Sequence, residues 1–159
     1  MITRVIGVGR ADRGDDTAGL LVADHVARRA PPGIAVTWWQ GTPVQLLTFW
    51  APDDRVVIVD ALHDRAPPGA VRRFEATSTR LPGRHGGGSH DASIVDAIEL
   101  ARALDRLPRS LVVYGITGRC FDFDSAVTPA VLAAADRVAG AILAEVREDT
   151  PPATTGRRG

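Results

Sequence analysis

Arg55-Val56-Val57-Ile58-Val59-Asp60 sets four consecutive β-branched residues between two charged ones. A run apolar at every position, and not at every second one, suits a strand buried on both faces. Such strands belong to parallel sheets covered by helices. The pattern recurs at Arg4 to Gly9 and at Leu111 to Ile116, and weaker strand signals cover Ile34 to Trp38 and residues 70–75. Helical segments separate them. Asp15 or Asp16 is placed to cap a helix over about residues 16–29, with Leu20, Leu21, Val22, Val26 and Ala27 available for burial. Thr42 as N-cap and Pro43 at the first helical position open a short helix through about Trp50. Another helix begins near Asp91, with Ile94, Val95, Ile98 and Leu104 facing inward, and a last one runs from Thr128-Pro129 to about Arg147. Strands alternating with helices give an α/β fold around a largely parallel sheet covered on both faces.

The 159 residues favour one domain, expected over 1–148, with 149–159 as a disordered tail. Nineteen basic residues, all arginine, balance nineteen acidic ones, so no net field draws the chain to nucleic acid or to a membrane surface. No apolar run approaches the ~20 residues of a membrane span, and Met1-Ile2-Thr3-Arg4 lacks a signal-peptide pattern. Cys120 is the single cysteine, which excludes an internal disulfide and any multi-thiolate metal site. The expectation is a cytoplasmic protein, and a monomer, since no heptad or broad apolar stripe calls for a partner.

In open parallel sheets ligands bind beyond the carboxyl ends of the strands. Three such places carry polar groups here: Gly7 to Asp16 after the first strand, Asp60 at the end of the third, and Ser89-His90 where a Gly-rich loop over 77–89 enters a helix. Two carboxylates and an imidazole on one rim suit a divalent metal, or a water activated by paired carboxylates. The plainer roles are helix caps for Asp15 or Asp16 and packing for His90. One cap needs one carboxylate, which leaves the other unexplained. Asp60, at the end of an apolar strand, needs a partner for its charge. His63 and His85 are rival imidazoles that read as solvated loop residues, and His25 as a helix-surface residue. A dinucleotide reading fails, because Asp12 stands where G-x-G-x-x-G requires glycine and no acidic residue ends the second strand.

Taken in order, these residues resemble the [NiFe]-hydrogenase maturation endopeptidases, which remove a C-terminal extension from the hydrogenase large-subunit precursor once nickel has been inserted. The resemblance runs from residue 4 to about 147. It rests on Gly7-Val8-Gly9, Asp15-Asp16-Thr17-Ala18-Gly19, Gly41-Thr42, Val57-Ile58-Val59-Asp60-Ala61, Ser89-His90, Asp96-Ala97-Ile98, Tyr114-Gly115-Ile116 and Val127-Thr128-Pro129-Ala130-Val131. It implies a three-layer α/β/α sandwich around a mostly parallel sheet of about five strands. It also places the family's metal-contacting and catalytic trio on Asp16, Asp60 and His90, and a substrate-binding role on Gly41 and Thr42. The nickel would belong to the precursor, with no resident cofactor, although a divalent metal can occupy the same site.

Three positions depart from the family pattern. Arg10 replaces the usual Asn after G-x-G, Asp16 stands where Glu is common, and Trp39-Gln40 precedes Gly41-Thr42 where many members carry an acidic residue. A non-cleaving module that binds nickel or a hydrogenase subunit, and a small-molecule hydrolase on the same fold, are the alternative readings.

Overall fold

The computed structural model describes residues 1–81 and 93–149. Five strands form one sheet: β1 (Thr3–Val8), β2 (Ile34–Trp39), β3 (Arg55–Leu62), β4 (Val71–Glu75) and β5 (Ser110–Thr117). Their order is β2-β1-β3-β5-β4, parallel throughout except for β4, which pairs antiparallel with β5 at one edge. The expected strands are all present, with β3 two residues longer than the apolar run suggests. The extension follows from the partner strand: Ala61 and Leu62 stay in register with Ile116 and Thr117 of β5.

Alternation along β1, β3 and β5 divides two apolar layers. Val5, Val57, Val59, Val112, Tyr114 and Ile116 face α1 (Ala18–Arg29) and α3 (Pro129–Glu148). Ile6, Val8, Val56, Ile58, Leu111 and Val113 face α2 (Ile94–Ala103) and the 3₁₀ segment Pro43–Thr48. This is the three-layer α/β/α sandwich, its two cores built by the two faces of the same strands. No helix among the described residues is long and apolar enough to cross a membrane.

Four expectations on the helices need correction. The first helix does not start as an α-helix at residue 16: Gly14–Thr17 is a 3₁₀ turn, and α1 follows it from Ala18. Ala27 is exposed, because it lies in the last turn of α1, where residues 27–29 are all exposed. Leu104 is 54% exposed, since α2 ends at Ala103 and the chain turns away there. Thr42 occupies the N-cap position but its side chain makes no capping bond. Residues 150–159 lie outside the described residues, as does Asp91, the expected start of the helix that forms α2. The described start of α2 is a capping box in which the Ser93 hydroxyl accepts from Asp96 N while Asp96 accepts from Ser93 N at 2.8 Å.

Glycine sets how closely α1 approaches the sheet. A Cβ on Gly19 would collide with the backbone carbonyl oxygens of both Val8 and Val59. The first turn of α1 therefore lies directly on the β1–β3 seam, at its carboxyl end. At the other end Asp54, 2% exposed, ties the start of β1 to the turn before β3. It accepts from Ile2 N at 2.9 Å, Arg4 Nε at 2.7 Å and Ala51 N at 2.9 Å. The bond from Ala51, followed by that from Arg4, lowers its pKa to about 2.

Two measurements check this picture. Gly19→Ala should lower the unfolding free energy by roughly 3 kcal/mol, since neither carbonyl can retreat without moving a central strand. Gly140→Ala, on the exposed side of α3 with open space around it, should raise it by about 0.5–1 kcal/mol. Equal effects in urea titrations would contradict the close approach. Asp54 has a folded-state pKa below its unfolded one, so its contribution is full above about pH 4 and is lost as pH falls through about 2. Asp54→Asn should therefore flatten the decline of stability over that interval, and an unchanged acid slope would contradict the assignment.

Candidate functional site

The carboxyl ends of β1, β2, β3 and β5 share one rim, and each delivers a segment to it. After β1 the chain passes through Gly9 to Asp12 into the 3₁₀ turn Gly14–Thr17. Gly9 is pressed against the carbonyl of Asp16, and Arg10 N donates to that same oxygen at 3.2 Å. The turn bearing Asp16 also contacts β3 directly. The Gly19 approach thus brings the turn with Asp16, half-buried, to the seam beside β3, the strand that carries Asp60.

Asp60 is half-buried and one of its oxygens accepts from Ala61 N at 2.8 Å. Its direction follows from the strand alternation. Val56 and Ile58 belong to the α2-side core, whereas Val57, Val59 and Ala61 belong to the α1/α3-side core, so the Asp60 carboxylate faces the α2 side. Helix α2 brings its amino end to this same rim. Near its other end, Arg102 donates to the carbonyl of Ala76 at 2.6 Å, and Ala76 is bonded to Leu111 at the start of β5. Its first turn, capped by Ser93, therefore lies toward the carboxyl ends of the strands. His90, three residues before Ser93, is outside the described residues, as are His85 and Ser89.

His63 is the exposed loop residue expected of it, and it also makes a ring contact that the sequence does not show. Its ring stacks on Phe121 with centroids 3.6 Å apart and an interplanar angle of 18°. Phe121 packs against the α1/α3-side core, the face opposite to the Asp60 carboxylate. The two groups thus leave β3 on different sides.

Neither Asp15 nor Asp16 caps a helix through its side chain. Asp15 is fully buried. Its carboxylate accepts four hydrogen bonds from the segment after β5: Arg119 N at 2.7 Å, Cys120 N at 3.0 Å, and Thr128 N and Oγ1 both at 2.6 Å. Burial opposes its ionisation, but the bonds from the Thr128 hydroxyl and the three amides outweigh that, and its pKa lies below the ordinary value. Sequence reasoning missed this role. The one signal was the adjacency of two carboxylates where a cap requires only one.

The Gly41-Thr42 pair also lies at the rim, just past β2. Thr42 uses its carbonyl to accept from Trp39 Nε1 at 3.2 Å and Gln45 N at 3.1 Å, and a side chain at position 41 would strike the Trp39 indole. Gln40, at a position that departs from the family pattern, accepts from Ala11 N at 3.1 Å and joins this turn to the one after β1. Asp16, in the turn after β1, and Asp60, near the end of β3, belong to segments that meet at this rim, and carboxylates suit a hard or borderline divalent ion or a water to be deprotonated. Among the described residues no group of three His, Cys, Asp or Glu side chains is placed to hold a metal ion.

Comparison with solved structures gives the same architecture. The hydrogenase maturating endopeptidase HybD from E. coli superposes with a TM-score of 0.77 at 22% identity, covering 93% of each chain. A solution structure of an endopeptidase from Escherichia coli gives 0.75 at 22% identity and 93% of each chain. The [NiFe] hydrogenase maturation protease HycI from Thermococcus kodakarensis gives 0.72 at 20% identity and 92% of each chain. No curated protein matches the sequence significantly. Residues 41–145 match the family model described as hydrogenase maturation protease, a span that holds β3, β4, α2, β5, most of α3 and both Gly41-Thr42 and Asp60. The chain belongs to the hydrogenase maturation protease family.

Proposed function

We propose that the protein is an endopeptidase that removes the C-terminal extension of a [NiFe]-hydrogenase large-subunit precursor once its nickel is in place. In this reading Asp16, Asp60 and His90 recognise the nickel carried by the precursor, and the enzyme needs no resident cofactor. It acts as a monomer in the cytoplasm. Family membership supports the reaction class. The observation that supports the site assignment is the seating of the first turn of α1, three residues after Asp16, on the backbone of Val8 and of Val59, the residue before Asp60.

The chemistry follows from the donor set. Two carboxylates and a neutral imidazole leave coordination positions of a delivered ion open, so the ion stays bound to its own subunit while it is gripped. Gripping it fixes the precursor's C-terminal segment over the rim, which lowers the barrier by positioning. Water attacks the scissile carbonyl carbon, and a carboxylate of Asp16 or Asp60 takes its proton. The carbon–nitrogen bond then breaks, the leaving amine receives that proton, and a new C-terminal carboxylate remains on the subunit. Gly41 and Thr42, at the same rim, border the path of the bound segment. Nickel supplies anchorage in an aspartic-type route and polarises the carbonyl in a metal-assisted one. The general-base step is common to both.

Asp16→Ala, Asp60→Ala and His90→Ala should each reduce processing of a nickel-loaded precursor by about 10³-fold or more. Melting temperatures should stay close to wild type, since neither Asp16 nor Asp60 fills either apolar core. Gel mobility of the precursor reads the cleavage. Full activity of the Asp60→Ala protein would refute the assignment.

A further inference from the structure

Asp15 is the one fully buried carboxylate at the described part of the rim, and the reaction has no direct use for it. The strands it joins are not neighbours. The sheet order places β3 between β1 and β5, so the segment after β5 reaches past the end of β3 to hold the turn after β1. Besides the four bonds to its carboxylate, Asp15 N donates to Cys120 O at 2.8 Å, and Asp124 N donates to Asp12 O at 2.9 Å. Gly14, at φ 52°, lies against Cys120 O and the Ser125 hydroxyl, so the two segments meet without a gap. An ionised carboxylate with four donors is a strong, directional clamp, and its burial means that losing a donor is not repaired by water.

Resting on the function proposed above, we infer that Asp15, clamped by Thr128, is a positioning residue: it fixes the turn that carries Asp16 over the end of β3. Asp16 follows Asp15 directly and shares its turn. Its own backbone is tied locally, through Asp16 N to Arg13 O at 3.0 Å and Arg10 N to Asp16 O at 3.2 Å. The Gly19 contact sets the height of the turn above the sheet. The Asp15 clamp sets its position along the rim. The first function of Thr128-Pro129 is then to supply two donors to Asp15, because the Thr128 side chain makes no capping bond to α3.

Thr128→Val removes the hydroxyl donor and keeps the backbone one, whereas Thr128→Ser keeps both. Asp15→Asn, which presents an amide to a site built of donors, is the harsher variant. Amide exchange in the full-length protein should show residues 10–17 opening about tenfold faster in Thr128→Val, with β3 and β5 unchanged and Thr128→Ser restored to wild type. On a nickel-loaded precursor, kcat should fall about tenfold or more in Thr128→Val while KM moves less than about twofold, and Thr128→Ser should recover it. Unchanged exchange over residues 10–17, or unchanged kcat with a loosened turn, would overturn the inference. Failure of the wild-type protein to cut any precursor would instead remove the proposed function, and the exchange result would still decide whether Asp15 fixes the turn.

Discussion

Everything at the rim depends on the absence of a side chain at Gly19. Helix α1 meets the sheet where β1 and β3 run side by side, and it comes close enough to touch the carbonyls of Val8 and Val59. A helix held off by a methyl group would carry the preceding turn away from the strand ends. With glycine there, the turn holding Asp16 descends onto the seam next to Asp60. Two carboxylates 44 positions apart in the chain are brought to one edge by a steric allowance.

The sheet supplies the remaining order. β1, β3 and β5 are central and parallel, so their carboxyl ends open onto the same rim, and their alternating side chains decide which layer each polar group enters. Asp60 turns toward the layer of α2, whose amino end rises to the rim. His63 turns toward the layer of α1 and α3, where Phe121 receives it. One residue of register would exchange these two sides, which is why the pairing of β3 with β5 through Leu62 matters to chemistry as well as to stability.

The fold was legible because its strands are apolar at every position, a pattern that few other architectures tolerate. Asp60 was legible for a related reason: a carboxylate closing such a strand has no structural excuse. The Asp15-Asp16 pair was only half legible. Both residues suit a helix start, and nothing local separates Asp15, whose partners lie beyond position 118, from Asp16, half-buried at the rim. The 3₁₀ form of the turn was hidden too, since it arises from the backbone contacts of Gly9 and Gly14 with distant segments. Leu104 continues the apolar periodicity of α2 one residue past the helix end, so it reads as buried in the sequence and is exposed in the fold. Long-range hydrogen bonds and element ends are properties of the assembled molecule, and a single chain read in order reveals them poorly.

The central claim is that Asp16, Asp60 and His90 close on one ion. A crystal structure of the protein with nickel or cadmium added tests it directly. The account predicts a single ion at the carboxyl rim with oxygen from both carboxylates and nitrogen from His90 at bonding distance, and open positions left for the precursor. An ion held elsewhere, or an imidazole of His90 turned away from both carboxylates in the loaded crystal, would contradict it.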